Sequence, residues 1–136
     1  MKKTSGILLI LITIFVSGCV DKTAESAKYV REGNLYLYGS NPDEAYSLYQ
    51  KALELNPENP EAWYGTGTVW MNRRQYQKAI ENFTKAIDLK PNYTDAFYNR
   101  GQAWFYKNEN YKACEDWQKA YDLGKPNMGD KLKKCR

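Results

Sequence analysis

Histidine is absent from all 136 residues, and cysteine occurs only three times. The first absence removes the commonest general base; together they leave too few nitrogen and sulfur donors for a transition-metal centre. Neither metal nor cofactor is therefore expected. The longest apolar run, from Ile7 to Val16 and interrupted only by Thr13, falls short of the roughly 20 residues a membrane-spanning helix needs. Clustered carboxylates are also lacking. Glu115 and Asp116 are neighbours in sequence, so on a helix they point about 100° apart, and such adjacent acids read as solvated. The glycines of "YGTGTVW", Gly65 and Gly67, fall inside a helical pattern and make no phosphate loop. With no catalytic constellation assembled, the chain does not read as an enzyme.

What the chain has is a distinctive start. Lys2 and Lys3 precede the short apolar run, and Ser17, Gly18 and Cys19 close it; positive residues, a short apolar stretch and small residues together describe a secretory signal. The order Val16, Ser17, Gly18, Cys19 resembles the lipobox of prokaryotic lipoproteins. That resemblance implies cleavage before Cys19, diacylglycerol on its thiol, and a place on the outer side of a cell membrane. Removing 18 of 136 residues leaves 118, enough for one domain with a core. It also takes away two lysines and no acid, lowering the formal charge from +4 to +2, so a nucleic-acid partner, which needs clustered positive charge, is not expected. Residues 19–25 then form the lipidated cysteine and a short polar connector.

From Ser26 onward the chain repeats with a period of 34. Residues 26–59, 60–93 and 94–127 align without a gap. Gly33, Gly67 and Gly101 coincide, as do Ala45, Ala79 and Ala113, and Ala52, Ala86 and Ala120. Aromatic columns run through Tyr29, Trp63 and Phe97, through Tyr36, Trp70 and Trp104, and through Tyr49, Phe83 and Trp117. Tyr29, Gly33 and Tyr36 lie at i, i+4 and i+7, one face of a helix, and Ala45, Tyr49 and Ala52 make a second such face. Each unit is thus a pair of helices meeting over small residues. "SNPDE" supplies Asn41 as N-cap, Pro42 at the first helical position and Glu44 to complete a capping box, while Asn59 and Pro60 mark another helix start.

Period and columns match the tetratricopeptide repeat. The resemblance implies an all-α fold, a right-handed solenoid of three helix hairpins, closed by a C-terminal capping helix at 128–136, because the last unit has no neighbour to cover it. Departures occur where the family usually has Leu, here Glu32, Thr66 and Arg100; at Lys125, with Pro126 one step late; and at Tyr111, displaced by one from the place of Tyr76. The third pair is expected to deviate at its turn and at its end.

The resemblance further implies that the first helix of each pair lines a concave face. One residue round from the packing stripe lie Val30, Asn34 and Leu37, then Tyr64, Thr68 and Met71, then Tyr98, Gln102 and Phe105, with Tyr38, Asn72 and Tyr106 beside them. Rings mixed with amides and hydroxyls suit a peptide or helix from a protein partner. An alternative is a cell-envelope polysaccharide whose sugar rings stack on Tyr64, Tyr98 and Tyr106. Chaperone-binding members of the family clamp a C-terminal carboxylate; at the matching positions Asn34 fits, while Val30, Gly65, Asp95 and Asn99 do not. Beyond the repeats, Cys114 and Cys135 either bridge or remain two half-buried thiols. Lys131, Lys133, Lys134 and Arg136 form either a solvated face or a contact with anionic lipid. Asn82 and Asn92 head formal glycosylation acceptors.

Overall fold

The structure, a computed structural model, describes residues 21–135. The signal segment 1–18, Cys19 with its expected lipid, and Arg136 lie outside the described residues. Among the described residues seven helices follow one another: α1 (Lys22–Tyr38), α2 (Pro42–Leu55), α3 (Pro60–Asn72), α4 (Tyr76–Leu89), α5 (Thr94–Tyr106), α6 (Asn110–Asp122) and the short α7 (Gly129–Lys133). Each odd helix packs on the even one that follows, the pairs stack in order, and α7 rests on α6. None of these helices is long and apolar enough to cross a membrane.

The helix starts show how far local chemistry carries. Asn59 accepts from the backbone N–H groups of Glu61 and Ala62, and Asn41 from that of Glu44. The capping box is only half made, since the Asn41 N–H donates to the Tyr36 carbonyl at 2.9 Å. Asp21 caps α1, accepting from Thr23 and Ala24 at 3.0 and 3.2 Å. The connector is therefore helical from Lys22, which shortens it from ~3.4 to ~1.5 Å per residue.

Within each hairpin the chain turns through a left-handed residue, Ser40 (φ 64°), Arg74 (φ 57°) and Asn108 (φ 62°), again spaced by 34. The next residue's N–H reaches back to the carbonyl of Tyr36, Trp70 or Trp104, at 2.9 Å each time, the hydrogen-bond pattern of a Schellman cap. The third turn thus matches the other two, contrary to the expected deviation. Displacement of Tyr111 shows instead in its side chain, 77% exposed, whereas Tyr76 packs against the core. At its end the third pair does differ: α6 stops one repeat position before α2 and α4, and Gly124 (φ +94°) redirects the chain.

Ala45, Ala79 and Ala113 are fully buried, but the glycine column works more specifically than a bare close crossing. The aromatic ring of each second helix presses on the glycine of the first: a Cβ at Gly33 would sit 2.7 Å from the Tyr49 ring, at Gly67 2.7 Å from Phe83, and at Gly101 2.6 Å from Trp117. A side chain has no room there. Gly65 joins the same scheme across units, since its Cβ would fall 2.4 Å from Tyr49 of the preceding hairpin. Its place in "YGTGTVW" is thus a packing requirement between repeats. Of the Tyr36 column, Trp70 and Trp104 pack partly buried against the core, whereas Tyr36, in the first described hairpin, stays 45% exposed.

Candidate partner-binding groove

The residues on the inner face of α1, α3 and α5 divide into those the fold has used and those it leaves open. Val30 belongs to the core, 6% exposed among Ala45, Tyr49 and Val69, so it does not line a groove. Leu37 and Met71 are half-buried against the core. Tyr64 packs between the rings of Phe83 (5.6 Å) and Tyr93 (5.0 Å), and its hydroxyl accepts from Asn99 Nδ2 at 2.8 Å. Thr68 donates its hydroxyl to the Tyr64 carbonyl. Asn34 stays exposed while its Oδ1 accepts from the Tyr49 hydroxyl at 2.7 Å. Burial raises the Tyr49 and Tyr64 phenols to about 12, helped at Tyr49 by the Tyr38 and Tyr64 phenols and at Tyr64 by Asp95, and burial with Glu61 nearby raises Tyr93 further. These phenols stay protonated, so each keeps its donor.

The open residues are Asn34, Tyr38, Asn72, Phe105 and Tyr106. Tyr38 is 87% exposed on the last turn of α1. Tyr106 stacks one face on Tyr76, centroids 5.1 Å apart, and Phe105 tilts against Trp117 at 5.6 Å. Tyr98 and Gln102 are half-buried beneath lysines that arrive from beyond α6: Lys131 donates to Gln102 Oε1 at 2.8 Å and lies over the Tyr98 ring. Periodicity places all of these residues on one side, but it cannot show which of them the neighbouring repeat consumes.

Three features were missed or misread in the sequence. Asp116 is not solvated; it is 5% exposed, and Arg100 grips it twice, Nε to Oδ2 at 2.8 Å and a terminal nitrogen to Oδ1 at 2.7 Å, while also donating to Thr84. Burial pushes the Asp116 carboxyl up, and the guanidinium opposes that shift. The departure at Arg100 from the usual Leu was the available signal, since a buried cation demands a partner. Second, the closing segment sends apolar side chains inward: Met128 is 2% exposed within the core and Leu132 packs beside it. Third, neighbouring units share repeated pins, Arg73 to Asp43 and, 34 residues on, Lys107 to Gln77. Cys114 and Cys135 are joined, Cα atoms 5.6 Å apart, tying α6 to the end of the closing segment.

Residues 30–94 and 71–127 match the tetratricopeptide repeat family, and the chain belongs to it. Its fold is similar to that of the first repeat domain of Spaghetti (RPAP3) bound to an HSP90 peptide, SRMEEVD, with TM-score 0.78 and 23% identity over 82% of this chain and 90% of that one. The OM64 repeat domain of Arabidopsis superposes with TM-score 0.77 at 22% identity, covering 85% of this chain and 99% of that one. The Sgt2 repeat domain of Aspergillus fumigatus gives 0.74 at 27%, covering 81% and 76%. By sequence, 54 residues are 35% identical to the BBSome complex member BBS4 of Bos taurus, 40% of this chain but only 10% of that protein's length.

Proposed function

We propose that the chain is a lipid-tethered adaptor of the cell envelope, anchored through Cys19 on the outer side of a membrane and holding a peptide or helix of a protein partner against its inner face. The observation that carries the reading is the line of open rings and amides, Tyr38, Asn72, Phe105 and Tyr106, on a rigid helical frame. Exposed aromatics grouped along one face mark interaction sites more often than scattered ones do. A neighbour of the same fold holding a peptide supports the choice of partner. The anchor rests on the lysines, the short apolar run and the "VSGC" motif.

Tyr64 packs half-buried against the core, so the variant that tests the groove leaves it alone. Tyr38→Ala/Phe105→Ala/Tyr106→Ala should remain helical yet lose at least about tenfold in recovery of the crosslinked partner, since anchors at an interface centre contribute ~1 to 2 kcal/mol or more apiece. Lys85→Ala/Lys119→Ala on outer helices should capture normally. Undiminished capture by the groove variant, in intact cells, would put the site elsewhere; retention on envelope polysaccharide with no protein crosslinked would favour the sugar-binding alternative. For the anchor, Cys19→Ser should abolish fatty-acid labelling, and persistent labelling would refute it.

A further inference from the structure

The closing segment does more than cover the last hairpin, because it lays lysines along the inner stripe of α5. Lys131 Nζ donates to Gln102 and stands 5.1 Å from the Tyr98 ring and 4.8 Å from Trp117; Lys134 Nζ stands 5.8 Å from Phe105. Lys125 also faces Tyr98, but Asp95 already pairs with it. Among the described residues, neither Lys131 nor Lys134 is within 4.0 Å of a carboxylate, and the acid on α7, Asp130, is engaged by Lys133. Two ammonium groups, each beside an aromatic ring and, among the described residues, with no carboxylate within 4.0 Å, thus meet the open end of the groove.

We infer that this end of the groove takes an acidic segment of the protein partner, its carboxylates pairing with Lys131 and Lys134 while its apolar side chains lie on Phe105 and Tyr106. The inference rests on the groove reading and adds the partner's charge and its placement. Ammonium–carboxylate hydrogen bonds are about twice as strong as neutral ones, and charge complementarity speeds encounter and sets register. These cations come from the closing segment and not from the repeats, whose carboxylate-clamp positions hold Val30, Gly65, Asp95 and Asn99. A flat anionic membrane fits less well, because Lys131 is half-buried, bonded to Gln102 and folded over rings, not splayed from a convex face. The Cys114–Cys135 bridge fixes the segment that carries both lysines.

The test uses the full chain, oxidised, in neutral phosphatidylcholine liposomes, with two fluorescein-labelled peptides of about ten residues, which reach ~33 Å when extended. One alternates Glu with Leu; its twin carries Gln for every Glu. The Glu peptide should bind at least about tenfold tighter, a preference that shrinks as salt rises. In Lys131→Gln/Lys134→Gln, with unchanged helix content, the preference should fall below about twofold while the twin's binding stays the same. Lys131→Arg/Lys134→Arg should restore it, and Lys85→Gln/Lys119→Gln should leave it intact. Equal binding of the two peptides, or a preference surviving loss of both lysines, overturns the inference. If equal binding is abolished by Tyr38→Ala/Phe105→Ala/Tyr106→Ala, the groove stands without its acidic partner; if that variant changes nothing, the groove itself falls. Protection of Lys131 and Lys134 from amine acetylation by phosphatidylglycerol liposomes, with no peptide preference, would transfer both lysines to a membrane role.

Discussion

The two ends of the array carry the same columns and are finished in opposite ways. At the amino end Leu35 is 72% exposed, although its equivalents Val69 and Ala103 are fully buried under the preceding unit. Glu32, one turn earlier, pairs with Lys28 at 3.9 Å on the half-exposed face of α1. At the carboxyl end the equivalent of Glu32 is Arg100, gripping buried Asp116, and Met128, Leu132 and a disulfide close the last hairpin. Burial in such an array belongs to the neighbour as much as to the residue, since each unit touches only the units beside it. Covering is nonetheless incomplete: Tyr121 is 54% exposed where Leu53 and Ile87 are each 9% exposed, because α7 has only five residues to lay over α6.

The comparison can be broken most forcefully at the ion pair. Arg100→Leu restores the family's usual residue but strands a buried carboxylate, and should cost about 3 to 5 kcal/mol. Adding Asp116→Leu should recover most of that loss or exceed wild type, because no charge then remains to desolvate. Glu32→Leu at the other end should change stability by less than about 0.5 kcal/mol, as exposed pairs contribute little. Urea denaturation of the four proteins decides it; an Arg100→Leu variant as stable as wild type would show that the pair does not hold the third hairpin.

Next in size is the bridge. Cys114→Ser/Cys135→Ser opens a loop whose ends are 21 residues apart, for which the chain-entropy account gives about 3 kcal/mol. Hydrogen exchange should speed up in α7 and the end of α6 before any other helix. Unchanged protection there would mean that Met128 alone secures the segment. Smallest is the bare end: Val69→Ser should cost about 2 kcal/mol by burying a hydroxyl where a valine packed, while Leu35→Ser, one repeat earlier in the same column, should stay within about 0.5 kcal/mol of wild type. Equal losses in thermal melts would show that something covers Leu35.

How much of this was legible followed from distance along the chain. Columns within a unit were readable, because residues at i, i+4 and i+7 must share a helix face, and so were the Asn41 and Asn59 caps, which act over three residues. Gly65 was not, because the ring pressing on it comes from the previous unit. Nor was the Arg100–Asp116 pair, whose members sit on facing helices 16 residues apart. In the groove, a one-residue rotation from the packing stripe selected one side of the first helices, yet on that side Val30 is core and Tyr64 packs half-buried against it. That distinction depends on how closely adjacent hairpins approach, which no single unit's pattern contains.

The covalent tie at the carboxyl end gives the molecule a mechanical polarity. A stack of this kind frays from its ends, and one end is stapled while the other is held by an Asp21 cap and a half-bare helix. Load applied through the amino terminus, where a lipid would hold the chain, therefore falls first on α1, the end helix of the described stack, which packs only on α2 and α3. The hairpin bearing Phe105 and the lysines beyond it would be the last part to yield. A cargo gripped at that far end could be pulled against the tether while the first hairpin acted as a compliant spring between load and membrane.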